Sequence, residues 1–150
     1  MSTTTAERVP AHTSEEINRR IQRQIARRVR YYSSHLDEIP DRLGELDEEW
    51  DIERAIEANA SALAFTGVAL GSMGNRKWFA LSALVTAFLF QHAIQGWCPP
   101  VPILRRLGFR TANEIEQERT ALKALRGDFE GVANSSNKPE AAIRAAGNRF

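Results

Sequence analysis

The stretch "WFALSALVTAFLFQHAIQGWCPP", Trp78–Pro100, decides how this chain folds. It carries no Asp, Glu, Lys or Arg, and from Trp78 to Trp97 an α-helix would extend about 30 Å, the depth of a bilayer's hydrocarbon core. Phe79, Leu81, Leu84, Val85, Phe88, Leu89, Phe90 and Ile94 each favour insertion by roughly 0.3–0.6 kcal/mol, about 2.5–5 kcal/mol together. Trp78 and Trp97 stand at its ends as interfacial anchors. Pro99 and Pro100 stop it, because proline lacks an amide donor and restricts the residue before it. Gln91, His92 and Gln95 oppose insertion near one end, which makes them candidates for a polar path.

Upstream lies a weaker partner. Between Glu57 and Arg76 there is again no charge, but the large apolar residues are only Leu63, Phe65, Val68, Leu70 and Met73. Small residues offset this weakness. Ala60, Ala64, Gly67 and Gly71 share one helical face, and Gly-x-x-x-Gly spacing lets two helices approach closely. Ala83 and Ala87 supply small residues on the second segment. The expected arrangement is a hairpin of helices over 51–73 and 78–97, joined by the turn "GNRKW" and inserted as one unit. The same pattern also fits a buried hairpin in a soluble helical bundle.

The flanks read as helical too. Residues 1–12 are polar and read as a disordered leader without the apolar core of a cleavable signal, so insertion is expected to be driven from within the chain. Over 13–50 the sequence reads as an amphipathic helix and an acidic connector. Thr13-Ser-Glu-Glu16 can form a capping box, and Ile17, Ile21, Ile25, Val29, Tyr32 and Leu36 fall within an arc of roughly 120°, opposite Arg19, Arg20, Arg23, Arg27 and Arg30. That helix fits either a partner helix or an anionic lipid surface. Pro40 and Gly44 break it. A further capping box at Thr111–Glu114 opens a helix over 112–127, and 128–150 reads as a flexible tail with room for one short helix. The fold class expected is therefore all-α, a two-helix transmembrane hairpin flanked by amphipathic cytoplasmic helices.

Charge placement sets the orientation. Of the 20 Lys and Arg residues, nine lie in 1–57, two in the turn (Arg76 and Lys77) and nine in 98–150. Both flanks lie on one side of a two-helix hairpin, so the positive-inside tendency puts both termini in the cytoplasm. The net charge of +1 gives no bulk attraction to nucleic acid, and none is expected as a partner.

The hairpin resembles the YgaP-like inner-membrane domain family of bacteria over Asp51–Thr111. The residues that carry the resemblance are Asp51 and Arg54 at the entry, Gly67 and Gly71 in the hairpin, then Gly96-Trp97-Cys98-Pro99, Leu107-Gly108 and Thr111. The resemblance implies a two-helix domain in the bacterial inner membrane, mostly of unassigned function. Some relatives carry a rhodanese domain. This chain has no second cysteine in a basic, glycine-rich loop, so sulfur transfer is not carried over.

No catalytic constellation stands out. Cys98 is the candidate for a reactive thiol, since Arg105, Arg106 and Arg110 follow it and nearby cations lower a thiol pKa. His92, six positions back, falls on a different helix face and is not placed as its base. One cysteine with scattered histidines lacks metal-ligand spacing, so neither metal nor cofactor is expected. The function expected is a non-enzymatic membrane protein that self-associates, acts as a scaffold and contacts a protein partner through its flanking helices. The alternatives are an oligomeric pore or carrier for a small ion, sulfur-containing anions among the candidates, and a soluble helical interaction module.

Overall fold

The computed structural model describes the backbone of residues 5–147 and the side chains from Arg8 onward. It is all-helical, with no strand among the described residues. In chain order the helices are α1 (Thr5–Ala11), α2 (Glu15–Tyr32), α3 (Ile39–Glu48), α4 (Ile52–Met73), α5 (Phe79–Gln95), α6 (Val101–Leu107), α7 (Ala112–Arg126) and α8 (Lys138–Gly147). Short 3-10 turns at Leu36–Glu38 and Arg76–Trp78 lead into α3 and α5. The chain divides into two compact units: residues up to Arg19 with Trp50–Asn113, and Arg20–Glu49 with the residues from Glu114 onward.

The first unit is built on the α4–α5 hairpin. Asp51 caps α4 by accepting the Arg54 amide at 2.6 Å, and the Ile52 amide donates to the Arg110 carbonyl at 2.8 Å. At the far end the Asn75 side chain accepts the Lys77 amide at 3.0 Å, which tightens the turn into α5. Gly67 and Gly71 are buried in the seam between the helices. A Cβ at Gly67 would stand 2.9 Å from the Trp78 carbonyl oxygen and closer still to Ser82 Oγ; one at Gly71 would press on the Phe79 ring at 3.0 Å. The Ser82 hydroxyl donates to the Ala64 carbonyl at 2.8 Å across the same seam.

The alanines of the second helix do not join this contact. Ala83 and Ala87 are exposed, and the groups that meet the α4 glycines are Phe79 and Ser82 of α5, with the Trp78 carbonyl just before it. The physical reason is that Ser82 offers small size and a hydroxyl that finds a carbonyl, whereas alanine offers size alone.

The second unit packs Ile39, Leu43 and Leu46 of α3 against Ile115 and Leu122 of α7, with Tyr32 and Leu125 at the margin. The spacings i, i+4, i+7 on α3 and i, i+7 on α7 are those of one helical face. Glu118 falls on that same face of α7 and is fully buried. Its carboxylate accepts from Arg42 Nε at 2.9 Å and from Arg28 Nη1 at 3.3 Å, so a charge that would be costly in the core is paired.

Several local expectations give way to tertiary contacts. Part of the expected disordered leader forms α1, and Val9 is fully buried in the core of the first unit; residues 1–4 lie outside the described residues. Thr13 does not act in a capping box: its hydroxyl donates to the Val9 carbonyl at 2.8 Å, and α2 begins at Glu15. The acidic connector is mostly helix, because Pro40 sits in the first turn of α3, where a missing amide donor costs nothing. Gly44 lies inside α3 and does not break it. The proline-rich exit from α5 likewise becomes α6, with Pro102 near its start, and the tail contains α8.

Two glycine-to-alanine substitutions should move stability in opposite directions. Gly67→Ala must spread the hairpin and is expected to cost about 1–3 kcal/mol. Gly44→Ala meets open space within a helix and is expected to gain about 0.5–1 kcal/mol. Chemical unfolding of the full chain, followed by circular dichroism, reads both. In the same assay Glu118→Ala should cost about 1–3 kcal/mol, because Arg42 loses its buried partner while keeping Glu45, and the partly exposed Arg28 turns to water. Glu15→Ala, which breaks the exposed pair with Arg19, should leave the midpoint unchanged.

Candidate functional site

The end of the hairpin away from its turn gathers most of the chemistry singled out in the sequence. Gly96 terminates α5 with a left-handed backbone, φ 71°, and its amide donates to the His92 carbonyl at 2.7 Å. This position also needs glycine for space, since a Cβ would run into Arg8 of α1. Arg8 in turn donates to the Ile94 carbonyl and, at 3.4 Å, to that of Ala93. A guanidinium thus caps the last carbonyls of an apolar helix, where its charge also complements the helix dipole. Beneath it Val9, Ile52, Ile56, Cys98 and Val101 form one buried cluster, with Leu89, Leu104 and Phe109 packed around it.

A polar lattice ties α6 to the start of α2. Arg105, fully buried, donates to Asn18 Oδ1 at 2.9 Å and to the Phe109 carbonyl at 3.2 Å. Asn18 passes the connection on by donating to the Pro10 carbonyl at 2.9 Å. None of these roles was legible locally. Arg8 and Asn18 meet Ile94 and Arg105, each more than eighty positions away, Val9 joins a cluster drawn from Ile52 to Val101, and only the capping need of α5 hinted at a cation there.

Cys98 is 2% exposed, and burial raises its thiol pKa above the ordinary value, which favours the protonated form. Of the cations that follow the cysteine, Arg105 is taken up by Asn18 and the Phe109 carbonyl. Among the described residues no group of three His, Cys, Asp or Glu side chains converges to hold a metal ion.

The three residues of the candidate polar path differ in their surroundings. His92 is buried, and neither ring nitrogen has a hydrogen-bond partner among the described residues. Gln95 is exposed and accepts from Gln91 Nε2 at 3.4 Å. Of the boundary residues, Trp97 is half-buried, while Trp78, Pro99 and Pro100 are exposed.

What remains open is an apolar surface. The segment Arg76–Gln95 is 20 residues long with mean hydropathy 1.3, and only 6% of its apolar window is buried in the protein. Among the described residues it is the one helix long and apolar enough to cross a membrane. α4 does not reach that standard, yet it too presents large apolar groups: Met73 is 85% exposed and Phe65 74%. Beyond the hairpin Ile103 and Leu107, one turn apart on α6, extend the same exposed character. Comparison with known proteins yields no relative: no family model, curated protein or solved structure matches this chain.

Cys98 is expected to react with a maleimide at pH 7.5 far more slowly than free cysteine, and at the free rate once the chain is unfolded in dodecyl sulfate. Equal rates before and after unfolding would contradict the buried, protonated thiol.

Proposed function

We propose that the protein is a small integral membrane protein of the bacterial inner membrane, anchored by the α4–α5 hairpin, with both termini in the cytoplasm. One observation carries this reading. The 20-residue segment Arg76–Gln95, which contains α5, is left almost wholly outside the protein's own core, while the charged part of the chain is packed with paired ions. Soluble monomers rarely expose a continuous apolar patch of that extent, because each large side chain left in water forgoes about 1.5–3 kcal/mol. Lipid tails remove that cost. The exit supports the reading too: Gly96-Trp97-Cys98-Pro99 carries the likeness to YgaP-like domains, and the outward Ile103 and Leu107 of α6 suit a helix lying at the headgroup boundary.

α4 enters the bilayer on the strength of its partner. Its exposed Ser61 and Thr66 weaken insertion, but Thr66 Oγ1 donates to the Ala62 carbonyl at 2.8 Å, and the close seam at Gly67 lets the two helices insert together. The activity is that of a scaffold, with no catalytic step, and the flanking helices contact protein partners. Self-association would use the outward faces of the hairpin, since Gly67 and Gly71 are spent within it. A second reading is a helical interaction module whose hairpin is covered by another protein; the exposed polar groups on α4 favour it.

Carbonate washing of membranes that contain the full chain separates the two. The membrane reading expects the protein in the pellet, and release into the supernatant sinks it. For topology, single cysteines at His12, Arg76 and Glu140 in a Cys98→Ser background should label from opposite sides. Positions 12 and 140 should react only after access to the cytoplasm, and position 76 from outside the membrane.

A further inference from the structure

At the base of the hairpin, α4, α5 and α6 enclose a cleft of about 560 Å³, within the range of small-molecule sites and far larger than the gaps of a packed interior. Its walls are alkyl and aromatic, among them Ala60, Leu63, Leu84, Phe88, Ile103 and Leu104. The heteroatom-bearing side chains in the lining are Asn59 and Cys98. The Asn59 amide nitrogen already donates to the Ala55 carbonyl at 2.7 Å, and the Cys98 sulfur is buried. A polar ligand would lose its hydration here and gain almost nothing in return. The guest must be apolar, as the guests of apolar cavities are.

Size and placement narrow the guest. An α-helix from a second copy is about 10 Å across and is too bulky for a recess of this volume. A flexible alkyl chain is not. The lip of the cleft is Leu63, Leu84 and Ile103, which are 50%, 55% and 62% exposed and continue directly into the outward apolar faces of the hairpin. Whatever solvates the hairpin therefore reaches the cleft without crossing a polar barrier. α6, preceded by Pro99 and Pro100 just past the end of α5, closes it on the side where the span ends.

We infer that this cleft holds one acyl chain of a bilayer phospholipid as a bound ligand, distinct from the lipid that merely surrounds the hairpin. The inference rests on the membrane reading. The bound chain fills the volume between α4, α5 and α6 and fastens α6 to the hairpin by burying Ile103 and Leu104.

The test uses the full-length protein reconstituted in vesicles of phosphatidylethanolamine and phosphatidylglycerol, extracted in dodecyl maltoside and weighed by native mass spectrometry. The expected result is one retained phospholipid per chain. Ala60→Trp, which fills the cleft, should lower the lipid-bound fraction about tenfold. Ala87→Trp adds the same bulk on the exposed face of α5 outside the cleft and should leave it unchanged, and circular dichroism confirms that each variant is folded. Equal retention by both variants, a bare chain, or a retained mass other than phospholipid would overturn the site. So would loss of self-association, rather than of lipid, in Ala60→Trp, since that would place a second copy in the cleft. A chain held in the membrane through the carbonate wash but carrying no lipid defeats this site alone; a chain released by the wash defeats the membrane reading itself.

Discussion

Close approach of α4 to α5 at Gly67 and Gly71 is the constraint on which the first unit depends. Without Cβ atoms at these two positions the Trp78 carbonyl, Ser82 and the Phe79 ring come up against the α4 backbone, and the Ser82 hydroxyl reaches the Ala64 carbonyl. Two consequences follow. Dispersion contacts accumulate along a close seam in which the Phe79 ring lies on the Gly71 backbone, and a hydroxyl inside an apolar segment finds its acceptor there. Because the seam is narrow, most of the large side chains of both helices point outward, and the exposed apolar surface is a direct result of the glycines.

The base of the hairpin shows how one helix end recruits distant parts of the chain. An apolar helix that stops at Gln95 leaves carbonyls in need of donors, and lipid or apolar protein offers none. Arg8 supplies them from α1, which carries Val9 into the cluster with Ile52, Ile56, Cys98 and Val101. Arg105, Asn18 and the Pro10 carbonyl then fix α6 and the start of α2 to the same place. Cys98 is thereby a core residue, its sulfur packed among aliphatic neighbours.

The second unit solves a different problem, the burial of a charge. Glu118 lies between Ile115 and Leu122 on the inward face of α7, and the arginines that meet it come from α2 and α3. Arg42 also reaches Glu45 at 2.7 Å, so the guanidinium joins a small network rather than a single pair. Such a network gives directional restraint to helices whose apolar faces are short. At the end of α3, Arg119 holds Asp47 and donates to the Leu46 carbonyl at 3.2 Å, a cation where the helix dipole favours one.

The sequence by itself determined the elements whose causes are local. An uncharged run bounded by tryptophans and prolines made α5 the apolar helix; small-residue spacing placed Gly67 and Gly71 in a helix contact; Pro99 and Pro100 marked where the apolar run stops. Tertiary structure alone decided which face of α5 meets α4, so that Ser82 was chosen over Ala83 and Ala87. It also made α1 an ordered helix, turned the connector around Pro40 and Gly44 into α3, and buried Glu118. The difference is one of range. Hydrophobic period, capping and proline sterics act within a turn or two of chain, whereas a hydrogen-bond partner or a packing neighbour far along the sequence exists only once the chain has folded.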